Sequence, residues 1–310
     1  MPQYRTDILI KQLRQQKGLT QQALASGLCA PDTLSRFERG ERVPSKWLFT
    51  KLMQRLGEDP EKYSGGLITK SDKIATEQRH RLTLLLKTPT EENLAAADTL
   101  IAELEDTPLF AEGEEFYQYF LLAKTTRLIH KKDFPAALQS VLVAIHATVP
   151  DYNQGDDISA YLLTYDEMRA FNILAGLLEL VDTTENSVTL YLGIIAAIEL
   201  NTMDTHNLEF IVQYSSILYN TTRQLIQIGD LAKCIEFCDK ALDFCQKHGE
   251  SYFYSLCMIN KAHSLLVLGQ KTEGTALYQD ALSLLRILKR TDRYEIAKKH
   301  ALDFHGLELE

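Results

Sequence analysis

Two stretches of this chain forty residues apart carry the same pattern, and that repetition limits the fold more than any other feature. Residues 219–242 (YNTTRQLIQIGDLAKCIEFCDKAL) align without a gap on residues 259–282 (INKAHSLLVLGQKTEGTALYQDAL). Residues 122–145 (LAKTTRLIHKKDFPAALQSVLVAI) fit the same frame. Residues 171–198 (FNILAGLLELVDTTENSVTLYLGIIAAI) fit it with about four extra residues near the turn. Each copy reads as a helix, a short turn at Gly-Asp or its equivalent, and a second helix. Such a unit cannot bury its apolar face alone, so the copies must stack on one another. Small residues recur where the paired helices press together. They are Thr125, Thr222 and Ala262 in the first helix, then Ala137, Cys234 and Gly274, and Ala144, Ala241 and Ala281, in the second. Backbones that approach closely leave no room there for larger side chains.

Charge divides the chain in two. Residues 1–70 hold 12 Lys and Arg against 7 Asp and Glu, whereas the remainder holds 21 against 35. A small basic head therefore precedes a large acidic body, and the two are expected to meet different partners. With 45% hydrophobic and 24% charged residues, the composition is that of a soluble globular protein. No apolar run reaches the roughly 18 residues that span a bilayer, so no membrane partner is expected. The N-terminus turns charged and amphipathic at once, unlike a signal peptide, and five cysteines suit a reducing cytoplasm. Gly and Pro are scarce and β-branched alternation is hard to find, so the chain reads as all-α.

The head, residues 1–66, parses into short helices. Ile10 and Leu13 share a face of the first, which ends near Gly18, and Thr20 is a good N-cap for a second carrying Leu24, Ala25 and Leu28. Pro31, a residue favoured at a first helical position, opens a third with Leu34 and Phe37 inward, stopped by Gly40. Ser45 can cap a fourth bearing Leu48, Leu52 and Leu56 at i, i+4, i+8. Two such helices joined by a tight turn make the helix-turn-helix plan.

The runs IKQLRQQKGLTQQALA and LSRFERG, followed by Pro44, resemble the lambda-repressor/Cro-like (XRE) family over about 55 residues. That resemblance implies a five-helix DNA-binding domain whose recognition helix runs from Pro31 to Arg39 and enters the major groove. Pro31, Asp32, Thr33 and Arg36 take its outward positions. Arg36 can pair bidentately with guanine, worth about 1–3 kcal/mol of discrimination. Asp32 can accept from cytosine N4. Gln21 matches the family's phosphate-binding glutamine, and Arg39, Arg42, Ser45 and Lys46 are candidates for backbone contacts. An isolated basic run is more often a solvated face, with Glu38 and Glu41 neutralising the arginines locally, but the helix-turn-helix pattern around this one argues against that. Pro31 and Asp32 are weak base readers beside the glutamines common in the family, so specificity is expected to lean on Arg36, Thr33 and DNA shape.

Residues 64–73 (SGGLITKSDK) lack periodicity and read as a hinge or linker. Beyond them, residues 67–310 resemble the tetratricopeptide repeat at a longer spacing, which implies a right-handed TPR-like α-solenoid whose first helices line a concave wall. Asn172, Asn220 and Asn260 fall at one position of that wall in three repeats. An amide offers one acceptor and two donors, matching the main chain of an extended peptide. Tyr165, Gln213 and Phe253, then Arg223 and His263, extend the wall. Arg169, Lys124 and Arg127 can hold a carboxylate. The asparagines can also bridge adjacent repeats or face water.

An XRE head on a tetratricopeptide body resembles the RRNPP family, particularly its PlcR/Rgg-like members. The resemblance implies a cytoplasmic, quorum-sensing type of transcription regulator. Its solenoid would bind a short linear signalling peptide and alter binding to double-stranded DNA. A homodimer on a near-palindromic operator is expected, since one recognition helix reads few base pairs, with the last helices (270–305) supplying the interface. The alternatives are a ligand-independent or protein-partnered repressor using the solenoid for dimerisation, and an adaptor whose head no longer binds DNA. Cys234, Cys238 and Cys245 share a helix face, but Cys234 already has a packing explanation. The eight histidines show no HxxxH or HExxH pairing and no Gly-rich phosphate loop appears. No enzyme, metal or cofactor is expected.

Overall fold

The computed structural model describes residues 6–63, 70–110, 116–201 and 207–309, which form fifteen α-helices and two 3₁₀ turns with no strand among the described residues. The head contains α1 (Thr6–Gln16), α2 (Gln21–Ala25), α3 (Pro31–Glu38), α4 (Lys46–Arg55) and a 3₁₀ turn, Pro60–Lys62, as its fifth helical element. Local chemistry starts these helices where the sequence places the starts. Thr20 Oγ1 accepts from Ala23 N at 3.0 Å, Pro31 stands at the head of α3, and Ser45 Oγ accepts from Leu48 N at 3.2 Å. Ile10, Leu24, Leu34, Phe37, Leu52 and Leu56 close the core between them.

Helices α5 (Lys70–Lys87) and α6 (Glu91–Glu105) come next, then α7 (Tyr117–His130) and α8 (Phe134–His146), α9 (Tyr165–Val181) and α10 (Thr184–Leu200), α11 (Leu208–Gln227) and α12 (Leu231–His248), and α13 (Tyr252–Val267) and α14 (Lys271–Ile287). A final helix, α15 (Thr291–His305), follows. The four copies read from the sequence are the last four of these pairs. The stretch expected as a linker is partly helix: residues 70–73 form the first turn of α5, and 64–69 lie outside the described residues.

The small positions behave as the spacing requires. Thr125, Ala137, Ala144, Thr222, Cys234, Ala241, Ala262 and Ala281 are all fully buried. Thr125 Oγ1 lies 2.8 Å from Ser140 Oγ across the α7–α8 seam, and Cys234 Sγ is 3.4 Å from Thr222 O across α11–α12. At Gly274 an added Cβ would stand 2.7 Å from Leu266 Cγ and 3.1 Å from Ala262 O, too close for any side chain without displacement. Asp133 and Asp230 hold equivalent places, capping α8 and α12 through Ala136 N and Lys233 N. Compactness divides the chain into residues 1–182 with 196–204, and residues 183–195 with 205–310.

Candidate nucleic-acid interface and repeat wall

Helix α3 turns Leu34 and Phe37 into the head core and leaves Pro31, Asp32 and Arg36 exposed, with Thr33 half-buried. Arg36 Nε sits 3.1 Å from Asp32 Oδ2 on the solvent side. An ion pair this exposed is worth little, so the guanidinium can exchange it for a base edge. Arg39 is held against Glu41 at 2.5 Å and against Ser35 Oγ at 2.6 Å. Arg42 and Lys46 are exposed, and the Ser45 hydroxyl caps α4.

Only one of the two acids expected to neutralise these arginines does so. Glu41 pairs with Arg39, but Glu38 is buried and accepts from Arg14 Nε at 2.6 Å, Arg14 Nη2 at 2.8 Å and Gln21 Nε2 at 2.8 Å. Burial pushes the Glu38 carboxyl up, but the hydrogen bonds from Arg14 and Gln21 outweigh it and hold the group below its ordinary range. Glu38 thus braces α1, α2 and α3 from inside. It fixes the Gln21 amide at the start of α2 while leaving the arginines of α3 uncompensated by it.

The charged residues that sequence reasoning missed lie on the last two turns of α4. Lys51 and Arg55 are buried, as is Gln54. Lys51 Nζ lies 2.6 Å from Asp166 Oδ2, and Arg55 Nη2 lies 2.9 Å from Glu167 Oε1, both acids being in the first turn of α9. The α9 backbone joins in, Tyr165 N donating to Gln54 Oε1 at 3.3 Å. Arg55 also donates to the carbonyls of Ser26, Leu24 and Thr148, and Asn201 Nδ2 donates to Arg55 O at 2.9 Å. Gly27 completes the contact with φ +69°, where a Cβ would fall 1.9 Å from Thr148 O. Burial raises the Asp166 carboxyl, but Lys51, then Arg79 and Arg169, overcome this and hold it below the usual carboxylate range. The local signal was half visible. Thr164 and Glu167 form a capping box at the start of α9, with Thr164 N at 2.6 Å from Glu167 Oε2, which explains an acid there but not its partner.

The expected wall residues divide by what holds them. Within the first compact unit, Lys124 is paired with Glu105 and Arg127 makes a two-point contact with Asp98 at 3.0 and 2.8 Å, so both fasten α7 to α6. Tyr165, expected on the wall, is instead buried at 4% exposure, because the first turn of α9 is covered by α4. Arg169 lies over the Tyr119 ring at 5.3 Å, and Asn172 is half-buried one turn further on. Within the second unit, Gln213, Asn220 and Arg223 on α11 and Phe253, Asn260 and His263 on α13 are all half-buried. Asn260 Nδ2 donates to Thr222 Oγ1 at 2.8 Å, a bridge between adjacent repeats. Gln213 Nε2 is 3.4 Å from Glu209, while its Oε1 is buried without a hydrogen-bond partner. Phe253 packs on Tyr219, and His263 turns towards α15. Cys234, Cys238 and Cys245 are buried in packing contacts, and burial pushes the Cys245 thiol up to about 11. Among the described residues, no helix is long and apolar enough to cross a membrane.

Residues 8–62 match the HTH_31 helix-turn-helix domain family. No curated protein matches the sequence. Among solved structures, Bacillus thuringiensis PlcR in complex with the peptide PapR7 and DNA is similar at 16% identity and TM-score 0.60, over 94% of this chain and 98% of that one. The apo form of PlcR from the same organism gives 15%, 0.59, 95% and 98%. ComR from S. thermophilus, in complex with DNA and its signalling peptide ComS, gives 17%, 0.53, 96% and 98%. Residues 8–62 are thus a helix-turn-helix domain, and over 94–96% of its length the chain has the fold of PlcR and ComR.

Proposed function

We propose that this chain is a cytoplasmic transcription regulator in which residues 1–66 bind double-stranded DNA and residues 67–310 bind a short linear peptide that controls that binding. The observation that carries the reading is the double use of α9. Its first turn grips the head through Asp166, Glu167 and the Tyr165 amide. Its next two turns present Arg169 and Asn172. A peptide that draws on those side chains bears on the same rigid helix that fixes α4, and so on the seating of α3. Arg36 reads base edges, helped by Pro31, Asp32 and Thr33, while Gln21, Arg39, Arg42, Ser45 and Lys46 hold the phosphates. The peptide is assigned to Arg169 and Asn172 in the first unit and to Gln213, Asn220, Arg223, Phe253 and Asn260 in the second, while His263 turns towards α15 instead. Lys124 and Arg127 exchange their carboxylate partners for the peptide's.

Two heads are needed to read an operator, about 34 Å apart on a near-palindromic site. The second unit ends on apolar residues that suit a homodimer contact: Ile287, Ile296, Leu302 and Phe304 are exposed by 73, 61, 49 and 70%. The side-chain pairings of Lys124, Arg127 and Asn260 favour a second reading, a ligand-independent repressor whose repeats serve dimerisation. Thermal melting against synthetic peptides encoded by small open reading frames beside the gene separates the two. A saturable upward shift lost in Asn220→Ala supports a peptide receptor, since a ligand bound only by the folded state stabilises it by mass action. Unshifted melting with every peptide, beside intact operator binding, supports the second reading.

A further inference from the structure

Three histidines that share no sequence motif meet at the end of the second compact unit. His263 comes from α13, and His300 and His305 lie five residues apart on α15. One ring nitrogen from each lies within 4.8 Å of the other two. The closest pair, His263 Nδ1 and His305 Nε2, is 3.0 Å apart. His300 is oriented from behind. Tyr278 Oη lies 3.1 Å from Ala297 O and 3.0 Å from His300 Nδ1. The carbonyl can only accept, so the single phenol proton goes to it and the phenol oxygen accepts from His300 Nδ1–H. That arrangement places the lone pair of a neutral His300 at Nε2.

We propose that His263, His300 and His305 bind one divalent transition-metal cation, Zn²⁺ by geometry and donor type, which clamps α15 to α13. Zn²⁺ binds imidazole nitrogen at about 2.0–2.1 Å in a tetrahedron, which puts ligand nitrogens about 3.3 Å apart. The His263–His305 pair at 3.0 Å is near that value and no pair exceeds 4.8 Å, so small ring rotations complete three corners, and solvent or an external donor takes the fourth. Of the paired rings His263 and His305, the one that donates in the metal-free protein shifts its proton to its other nitrogen, and no net proton is released. An acceptor on the other ring N–H of a ligating imidazole fixes its tautomer and orientation, and the Tyr278 phenol oxygen supplies that acceptor to His300. Sequence reasoning had no access to this cluster, because an i, i+5 pair completed from another helix matches no local metal motif.

The test uses the untagged full-length protein, titrated with Zn²⁺ by calorimetry and with Co²⁺ by visible spectroscopy. The expected result is one equivalent bound, a tetrahedral Co²⁺ ligand-field band that Zn²⁺ abolishes, and a higher melting temperature with metal. His300→Ala and His305→Asn should each lower affinity by at least about 10-fold, and Tyr278→Phe by about 10-fold with the stoichiometry kept at one. The wild-type Co²⁺ spectrum decides the matter even where a variant fails to fold. Absence of binding at micromolar Zn²⁺ overturns the proposal. So does affinity unchanged in both histidine variants, or a thiolate-to-cobalt charge-transfer band placing the ion on cysteine.

Discussion

Replacing Arg55 by methionine keeps most of the side-chain volume on α4 and removes the charge that meets Glu167. The two side chains are 5% and 0% exposed. Removing one member of a pair buried this deeply costs about 3–5 kcal/mol, because the surviving charge is left uncompensated. Glu167 keeps one support, the Thr164 amide at 2.6 Å on its other oxygen, which favours the lower end. Against that, the carbonyls of Ser26 and Thr148 lose a donor at the same time. About 3 kcal/mol is a factor of roughly 150 in the equilibrium that keeps the head seated, at about 1.4 kcal/mol per decade. The assay is urea unfolding of the full chain followed by tryptophan fluorescence. Trp47 is the chain's only tryptophan and packs against the head core, so the signal reports the head. Arg55→Met and Glu167→Gln should each lower the midpoint, and the double variant should lose clearly less than the sum, with a coupling above 1 kcal/mol. If both single variants stay within about 0.5 kcal/mol of the parent and their effects simply add, the pair does not seat the head and the reasoning fails.

Gly27→Ala should undo the same contact by a different route, since it adds a Cβ at 1.9 Å from Thr148 O on a backbone with φ +69°. A drop in the Trp47-detected midpoint that Gly18→Ala, in open space at a similar φ, does not match would bear this out. Arg36→Ala should weaken operator binding by about 5- to 150-fold, corresponding to about 1–3 kcal/mol. Its melting temperature should not change because the side chain is exposed, and fluorescence anisotropy with labelled operator measures the loss. Acid should loosen the head. The folded-state values of Asp166 and Glu38 lie below those of the unfolded chain, so their contribution is complete above about pH 4.5 and is lost as pH falls through the lowered values. A further fall in the Trp47-detected urea midpoint below about pH 4 is expected. Lys51→Met should shrink the acid-dependent part, and an unchanged profile would remove Asp166 as its source.

What the sequence made legible was decided by short-range physics. Thr20, Ser45, Asp133 and Asp230 announce helix starts because a cap needs only a side chain and an amide three residues on. The repeat frame located the helix pairs because close packing leaves its mark at every copy, from Thr125 with Ser140 to Gly274 under Leu266. Residues 70–73 were misread for the same reason. The Gly-Gly before them suggests a turn, yet the following Lys-Ser-Asp-Lys forms the start of α5 without an apolar periodicity of its own. On α3 the outward and inward positions were recoverable because Leu34 and Phe37 fix the phase of the helix and leave Arg36 no choice.

The residues that fix α4 to α9 were not legible, because their meaning lies in partners far along the chain. Lys51 and Arg55 stand four apart on one face of α4, and Asp166 and Glu167 open α9 more than a hundred residues later. Read alone, the first pair suggests a solvated basic face and the second a helix N-terminus with the acids its dipole favours. Together they replace water with one another, and that exchange decides where the head sits. A hydrophobic seam would hold the head at least as firmly, since buried ion pairs are often no more stabilising than apolar packing of the same volume. A charged seam tolerates less misplacement, because separating a buried ion pair leaves desolvated charge uncompensated. Seating the head on charges at the first turn of α9, with Arg169 and Asn172 following on the same helix, gives a small movement of α9 a disproportionate effect on α4. Under the proposed function, the coupling predicted for Arg55 and Glu167 is the quantity on which peptide control of DNA binding would depend. A variant that replaces the whole seam with well-packed apolar residues should fold, bind operator and lose its response to peptide.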